Sequence, residues 1–159
     1  MAMRIGDSLP SLAGATDWFN GSEADTLEQI KGKPVLVHFW AVSCGICKDK
    51  MPQLNEIKAR YGALGLETVA VHMPRYEADT DLDNIAQAIH DNGISEPTAV
   101  DSLHKLKDAF QNEQGWVPVY FLFDAEGKLK TRAAGEFGVT VLQTALDKMF
   151  PVQAAEAQA

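Results

Sequence analysis

"HFWAVSCGICKDKMP", residues 38–52, holds the only two cysteines of the 159-residue chain, Cys44 and Cys47. Two patterns meet in this stretch. Residues 34–40, PVLVHFW, are a short and nearly unbroken apolar run, as expected of a strand buried on both faces. From Gly45 to about Tyr61, the side chains Met51, Leu54, Ile57 and Tyr61 fall on one helical stripe, with Pro52 expected to kink the helix. A strand that runs straight into a helix, with both cysteines at the junction, puts reactive groups beyond the carboxyl end of a strand. That is where α/β folds hold their chemistry.

Working outward, the same alternation continues. Residues 67–71 read as a second strand, and Leu82, Ile85 and Ile89 as the apolar face of a second helix. A short strand at 98–100 precedes a third helix carrying Leu103, Leu106 and Phe110. Residues 119–123 read as a strand, 124–127 as a turn and 128–133 as a returning strand. Leu142, Ala145, Leu146 and Met149 line a closing helix. Near the start, Asn20-Gly21 is a hairpin signal, and residues 27–30 read as a helical turn before Gly32. Strands alternating with helices predict βαβ units, and the late hairpin predicts an antiparallel edge. The expected fold is α/β with a mixed central sheet flanked by helices. One domain is expected over 1–152, with an alanine-rich, disordered tail at 153–159.

Composition narrows the partners. The chain is 46% hydrophobic and 23% charged, with 22 acids against 14 bases and a net charge of −8. Phosphate backbones and anionic lipid surfaces are recognised by Lys and Arg, so neither nucleic acid nor membrane is expected as a partner. No apolar run reaches the length of a membrane-spanning helix. The first twenty residues lack a basic head followed by an apolar stretch, so no signal peptide is read and a cytoplasmic location is expected. In that compartment a Cys-x-x-Cys is catalytic or metal-binding more often than structural.

Three chemistries are open to Cys44-Gly45-Ile46-Cys47. Structural zinc needs about four ligands, and there is no second cysteine pair. The histidines at 38, 72, 90 and 104 show no ligand spacing. A static crosslink across so short a span removes little unfolded-state entropy. A redox pair fits best. Cys44 falls near the N-cap of the following helix, where unpaired N–H groups and the helix dipole favour a thiolate. Cys47, one turn on, is in reach to attack a mixed disulfide formed on Cys44. Lys48 adds positive potential or is a solvated helix residue.

Phe39-Trp40-Ala41-x-x-Cys44-Gly45-x-Cys47-Lys48, with Pro52 at matching spacing, resembles the thioredoxin active-site motif. Val117-Pro118-Val-Tyr-Phe-Leu-Phe-Asp124-x-x-Gly127 resembles the cis-proline loop that faces the cysteines in the TlpA/ResA-like branch of that superfamily. The predicted N-terminal hairpin and the extra segment after the second main strand suit the same branch. "HFWAVSCGICK", "VAVHMPR" and "DAFQNE" followed by Val-Pro are most similar to the YkuV-like cytosolic thiol–disulfide oxidoreductases. The resemblance implies a thioredoxin-like fold with Cys44 as attacking thiol and Cys47 as resolving thiol. It implies a cis Pro118 and a Val117 backbone that pairs with an extended client segment, with Trp116 bordering the groove. The redox-active disulfide is then the sole cofactor. Disulfide-containing proteins are the substrates, and a separate thiol reductant or thioredoxin-reductase-type donor restores a monomeric enzyme.

The chain also departs from the pattern. Thioredoxins carry a buried acid where this chain has His38, and the ResA-like branch carries a glutamate where it has Lys50. An unperturbed histidine titrates near neutrality, and His38 is the candidate proton acceptor for Cys47. Ile46 stands where thioredoxin has proline and where strong oxidants often have histidine, which inclines the reading to a reductant. Two other readings have cheap discriminators. A peroxiredoxin expects Pro and Thr/Ser where Val37 and Ala41 stand, and would consume peroxide at Cys44. A peptide-binding module would keep its function without either cysteine. Asp79-x-Asp81-x-Asp83 lacks the glycine and glutamate of a calcium loop and reads as a helix start. No phosphate-binding or dinucleotide glycine motif is present.

Overall fold

The structure, a computed structural model, describes residues 2–151; the expected tail at 153–159 lies outside the described residues. Six strands form one mixed sheet. In chain order they are β1 (Asp17–Phe19), β2 (Val35–Trp40), β3 (Glu67–His72), β4 (Thr98–Val100), β5 (Val119–Phe123) and β6 (Leu129–Ala134). Their spatial order is β1-β4-β3-β2-β5-β6. The central β4, β3 and β2 run parallel, as βαβ crossovers require. β1, β5 and β6 add antiparallel edges.

Among the described residues, five α-helices cover the two faces: α1 (Glu23–Ile30), α2 (Gly45–Gly62), α3 (Leu82–Asp91), α4 (Lys105–Ala109) and α5 (Gly138–Met149). Side chains alternate across a strand, and β2 shows the result. Leu36 and Trp40 enter a core cluster with Leu54 of α2, Ile85 of α3 and Leu142 of α5. Val35, Val37 and Phe39 enter a second cluster with Ile30 of α1 and with Leu106 and Phe110 around α4. His38, between Leu36 and Trp40, therefore belongs to the α2 face. Pro52 sits inside the continuous α2, where it lacks the N–H that would bond the Lys48 carbonyl.

Two expectations need correction. The N-terminal hairpin does not form: β1 is followed by α1 and pairs with the distant β4. Asn20 does take a left-handed conformation (φ 60°), but it ends the strand rather than reversing it. Its amide donates to the carbonyls of Ile94 and Glu96. Ser22 then caps α1 through its hydroxyl oxygen, which accepts the Asp25 N–H. The third helix starts later than expected, at Lys105. Leu103 precedes it and is 62% exposed, and the buried Asp101 carboxylate caps the helix by accepting the N–H groups of Leu106 and Lys107 in its first turn.

Candidate active site

β2 and α2 deliver the cysteines. Cys44 is the N-cap of α2, with extended backbone (φ −92°, ψ 102°), and its Sγ accepts the Cys47 N–H at 3.1 Å. The two cysteines are joined in a disulfide with their Cα atoms 5.3 Å apart. Negative charge on Cys44 would be met by an oriented N–H and by the positive end of an 18-residue helix. Both sulfurs are well covered: Cys44 is 3% exposed and Cys47 2%.

Facing them is the loop before β5. The Val117–Pro118 peptide is cis, as the resemblance implied, and the Val117 carbonyl oxygen lies 3.7 Å from Cys44 Sγ. Buried Asn112 fixes this loop: its amide donates to the Trp116 carbonyl, and its carbonyl oxygen accepts the Trp116 N–H. Trp116 is 51% exposed, with the Arg132 guanidinium 6.0 Å above its ring. Arg75, Gly115, Trp116, Val117, Ala134 and Gly135 line a groove of about 230 Å³. Trp116 thus borders this groove. Ile46 is exposed on the first turn of α2, and open space surrounds Gly45. Lys48 is exposed one turn on, and its backbone N–H bonds the Cys44 carbonyl.

Around the segment that leads into Cys44 lie polar groups that the motifs did not disclose. The Ser43 hydroxyl donates to Asp79 Oδ2, which also accepts the backbone N–H groups of Arg75 and Tyr76. The Arg75 guanidinium donates back to the Ser43 carbonyl and hydroxyl oxygens. Burial opposes ionisation of Asp79, but these hydrogen bonds outweigh it and hold the carboxyl below its ordinary range. His72 Nε2 accepts the Val42 N–H at 3.1 Å, and its ring meets Trp40 edge-on at 4.8 Å. Among the described residues, neither its buried Nδ1 nor the Trp40 Nε1 has a hydrogen-bond partner. Burial lowers the His72 pKa to about 4. Trp40 is therefore core beneath the site and does not line the groove.

His38 is 1% exposed and does have a carboxylate partner, although neither motif position supplied one. Its Nε2 lies 2.6 Å from Glu96 Oε2, and Glu96 Oε1 lies 2.5 Å from Lys58 Nζ on α2. Burial opposes the Glu96 charge, but His38 and Lys58 together hold its carboxyl well below the usual range. Glu96 stands in the segment before β4, 58 residues from His38, so nothing near the cysteine motif pointed to it.

A helix-capping cysteine joined to a second cysteine one turn on, facing a cis-proline loop, defines a centre for thiol–disulfide exchange. The Redoxin family model matches residues 4–146, and the chain belongs to that family. It is 42% identical over 148 residues to the thiol-disulfide oxidoreductase YkuV of Bacillus subtilis (strain 168), covering 92% of this chain and 97% of that one. It is 30% identical over 149 residues to the thiol-disulfide oxidoreductase ResA of Bacillus thuringiensis (strain Al Hakam), covering 94% and 80%. The solution structure of a thioredoxin-like protein in the oxidized form superimposes with a TM-score of 0.81 at 40% identity. That match covers 96% of this chain and 99% of the other. The fold is thioredoxin-like, and the chain is a thiol–disulfide oxidoreductase bearing a Cys44–Cys47 pair.

Proposed function

We propose that this enzyme reduces protein disulfides, with Cys44 as attacking and Cys47 as resolving thiol. The observation that carries the reading is Cys44 at the α2 N-cap, with the Cys47 N–H on its sulfur and the Val117 carbonyl beside it. The Cys44 thiolate attacks one sulfur of the client disulfide, and the other sulfur leaves as a thiolate and takes up a proton. Cys47 then loses its proton and attacks the Cys44 sulfur, and the second client thiol departs. Two electrons have passed to the client, and the enzyme holds the Cys44–Cys47 disulfide. The groove at Trp116 and Val117, next to the cis Pro118, receives an extended client segment, with Ile46 as an apolar contact.

The disulfide is the sole cofactor in this reading. A thiol reductant or a thioredoxin-reductase-type donor returns the electrons, and the enzyme works as a cytoplasmic monomer formed by one domain over 1–152. No helix among the described residues is long and apolar enough to cross a membrane. The deciding experiment is the equilibrium reduction potential of the pair in defined thiol buffers, with the oxidised fraction read by alkylation and mass. A value near about −270 mV supports a reductase, and one near about −120 mV makes the protein an oxidant.

A further inference from the structure

We propose that Arg75 sets client choice: its guanidinium receives the carboxylate of an Asp or Glu side chain lying in the client segment close to the cysteine under attack. The inference rests on the disulfide-reducing reading above and adds the class of client that the groove favours.

The residue before Cys44 holds Arg75 in place. Its Nε donates to the Ser43 hydroxyl oxygen at 3.2 Å, and its Nη2 donates to the Ser43 carbonyl oxygen at 2.7 Å. Nε and Nη2 share one edge of the guanidinium plane, so Ser43 occupies that edge. The Arg75 Cζ also lies 5.5 Å from the centroid of the Tyr76 ring. A guanidinium carries five N–H donors in a fixed fork. Three of them, on Nη1 and the outer side of Nη2, have no acceptor among the described residues. The outer edge, with one N–H from each Nη, has the geometry that takes a carboxylate through two parallel hydrogen bonds. The side chain is already ordered by Ser43, so less entropy is lost when a client binds.

The location suits a client contact. Arg75 lines the same groove as Val117, and the Val117 carbonyl oxygen is 3.7 Å from Cys44 Sγ. An extended chain advances about 3.3 Å per residue. Side chains one or two positions from the attacked cysteine therefore fall along a groove of about 230 Å³.

The charges around the groove favour an acid. Arg75 is its one charged lining residue, the others being Gly115, Trp116, Val117, Ala134 and Gly135. Arg132 adds a second cation, 6.0 Å from the Trp116 ring centroid and without a carboxylate partner among the described residues. Asp79 is the acid nearest in the network, but it is buried and accepts from the Ser43 hydroxyl and the backbone N–H groups of Arg75 and Tyr76. Glu136, beside Gly135, is exposed and forms no ion pair with either guanidinium. The whole chain carries a net charge of −8, so a basic groove runs against its overall charge. Salt screens the distant acids over about 8 Å, whereas a contact with Arg75 is felt directly. A clamp on Ser43 needs only the inner edge of the guanidinium. The uncovered outer edge, on a side chain that lines the groove, is the part that clamping does not explain.

The test uses short peptides with one cysteine joined by a disulfide to a coloured aromatic thiol. They differ only in one residue, Glu, Gln or Lys, placed before or after the cysteine. The Cys44 thiolate bonds to the peptide sulfur, the peptide–aromatic disulfide breaks, and the aromatic thiolate leaves because the thiol of lower pKa leaves faster. Each second-order rate constant is divided by that for a small uncharged thiol, which removes the intrinsic reactivity of the peptide. With the native protein, the Glu peptide is expected to react about fivefold faster than the Gln peptide on at least one side of the cysteine. The Lys peptide should be slowest, and the preference should shrink as salt is raised. Arg75→Met is expected to bring the ratio of Glu to Gln close to one. Equal rates for the three native reactions, or a Lys peptide that reacts fastest, would overturn the proposal without any variant, so it stays decidable if Arg75→Met does not fold. A folded Arg75→Met that keeps the native ratio would also overturn it, because Arg75 would then serve Ser43 alone. If no peptide of any charge reacts at Cys44, the disulfide-reducing reading itself fails and takes this proposal with it.

Discussion

Cys44 and Cys47 are alike as side chains and differ through position. Cys44 receives a helix N–H on its sulfur and faces the groove loop, whereas Cys47 sits one turn inside the helix. The difference sets a direct expectation. Cys47→Ser keeps the attack and loses the resolution, so a client disulfide leaves one chain attached to Cys44, seen as a covalent adduct by mass. Cys44→Ser should give no adduct, and an adduct on that variant instead would reverse the two roles. The cysteine pair was legible because a spacing of three is a local signal, whereas the cis Val117–Pro118 peptide was implied only by the family resemblance. Glu96, Asp79 and Asn112 were not legible. Their partners are made by folding: Glu96 meets His38 across 58 residues, and Asp79 meets Ser43 across 36. A lone Glu before a proline, or a lone Asn after a short helix, carries no local mark of that task.

At the level of elements, strands and helices were read well where one pattern dominated. β5 was predicted at its observed residues, and the α2 stripe of Met51, Leu54, Ile57 and Tyr61 is buried. The reading failed where two short signals competed, as at Asn20-Gly21, where Ser22 two residues on starts a helix. The loop between α4 and β5 shows how such a connection is held. Asn112 supplies two hydrogen bonds that fix the Trp116 backbone, one to its N–H and one to its carbonyl. Asn112→Ala should cost about 1–3 kcal/mol, read as a lower urea midpoint. Because Trp116 and Val117 border the groove and do no bond chemistry, KM for a protein client should rise several-fold. The rate with a small aromatic disulfide should stay close to native. Equal losses on both substrates would mean that the loop positions Cys44 itself.

Across the whole molecule, burial of ionisable groups beneath the site makes stability depend on pH in two windows. His72 has an ordinary pKa of 6.5 and a folded value of about 4. Between these values the unfolded chain binds a proton that the folded chain refuses, so stability falls as pH drops from about 6.5 to about 4 and then levels off. The full effect is at most about 3.5 kcal/mol, at about 1.4 kcal/mol per pH unit. Glu96 and Asp79 have depressed folded values, so their stabilisation is present above the ordinary carboxylate range and is lost only as pH falls below it. Asp101, raised by burial, works in the opposite sense within the carboxylate range. The upper window therefore isolates His72 among these groups. His72→Gln keeps an acceptor for the Val42 N–H and removes the titration. Urea midpoints measured from pH 7 to 4 should fall steadily for the native protein and lie nearly flat for the variant above about pH 4.5. Parallel curves would mean that His72 takes up its proton in the folded state at its ordinary pKa. Since an imidazolium Nε2 cannot accept from the Val42 N–H, the segment leading into Cys44 would then lose its anchor within the working pH range.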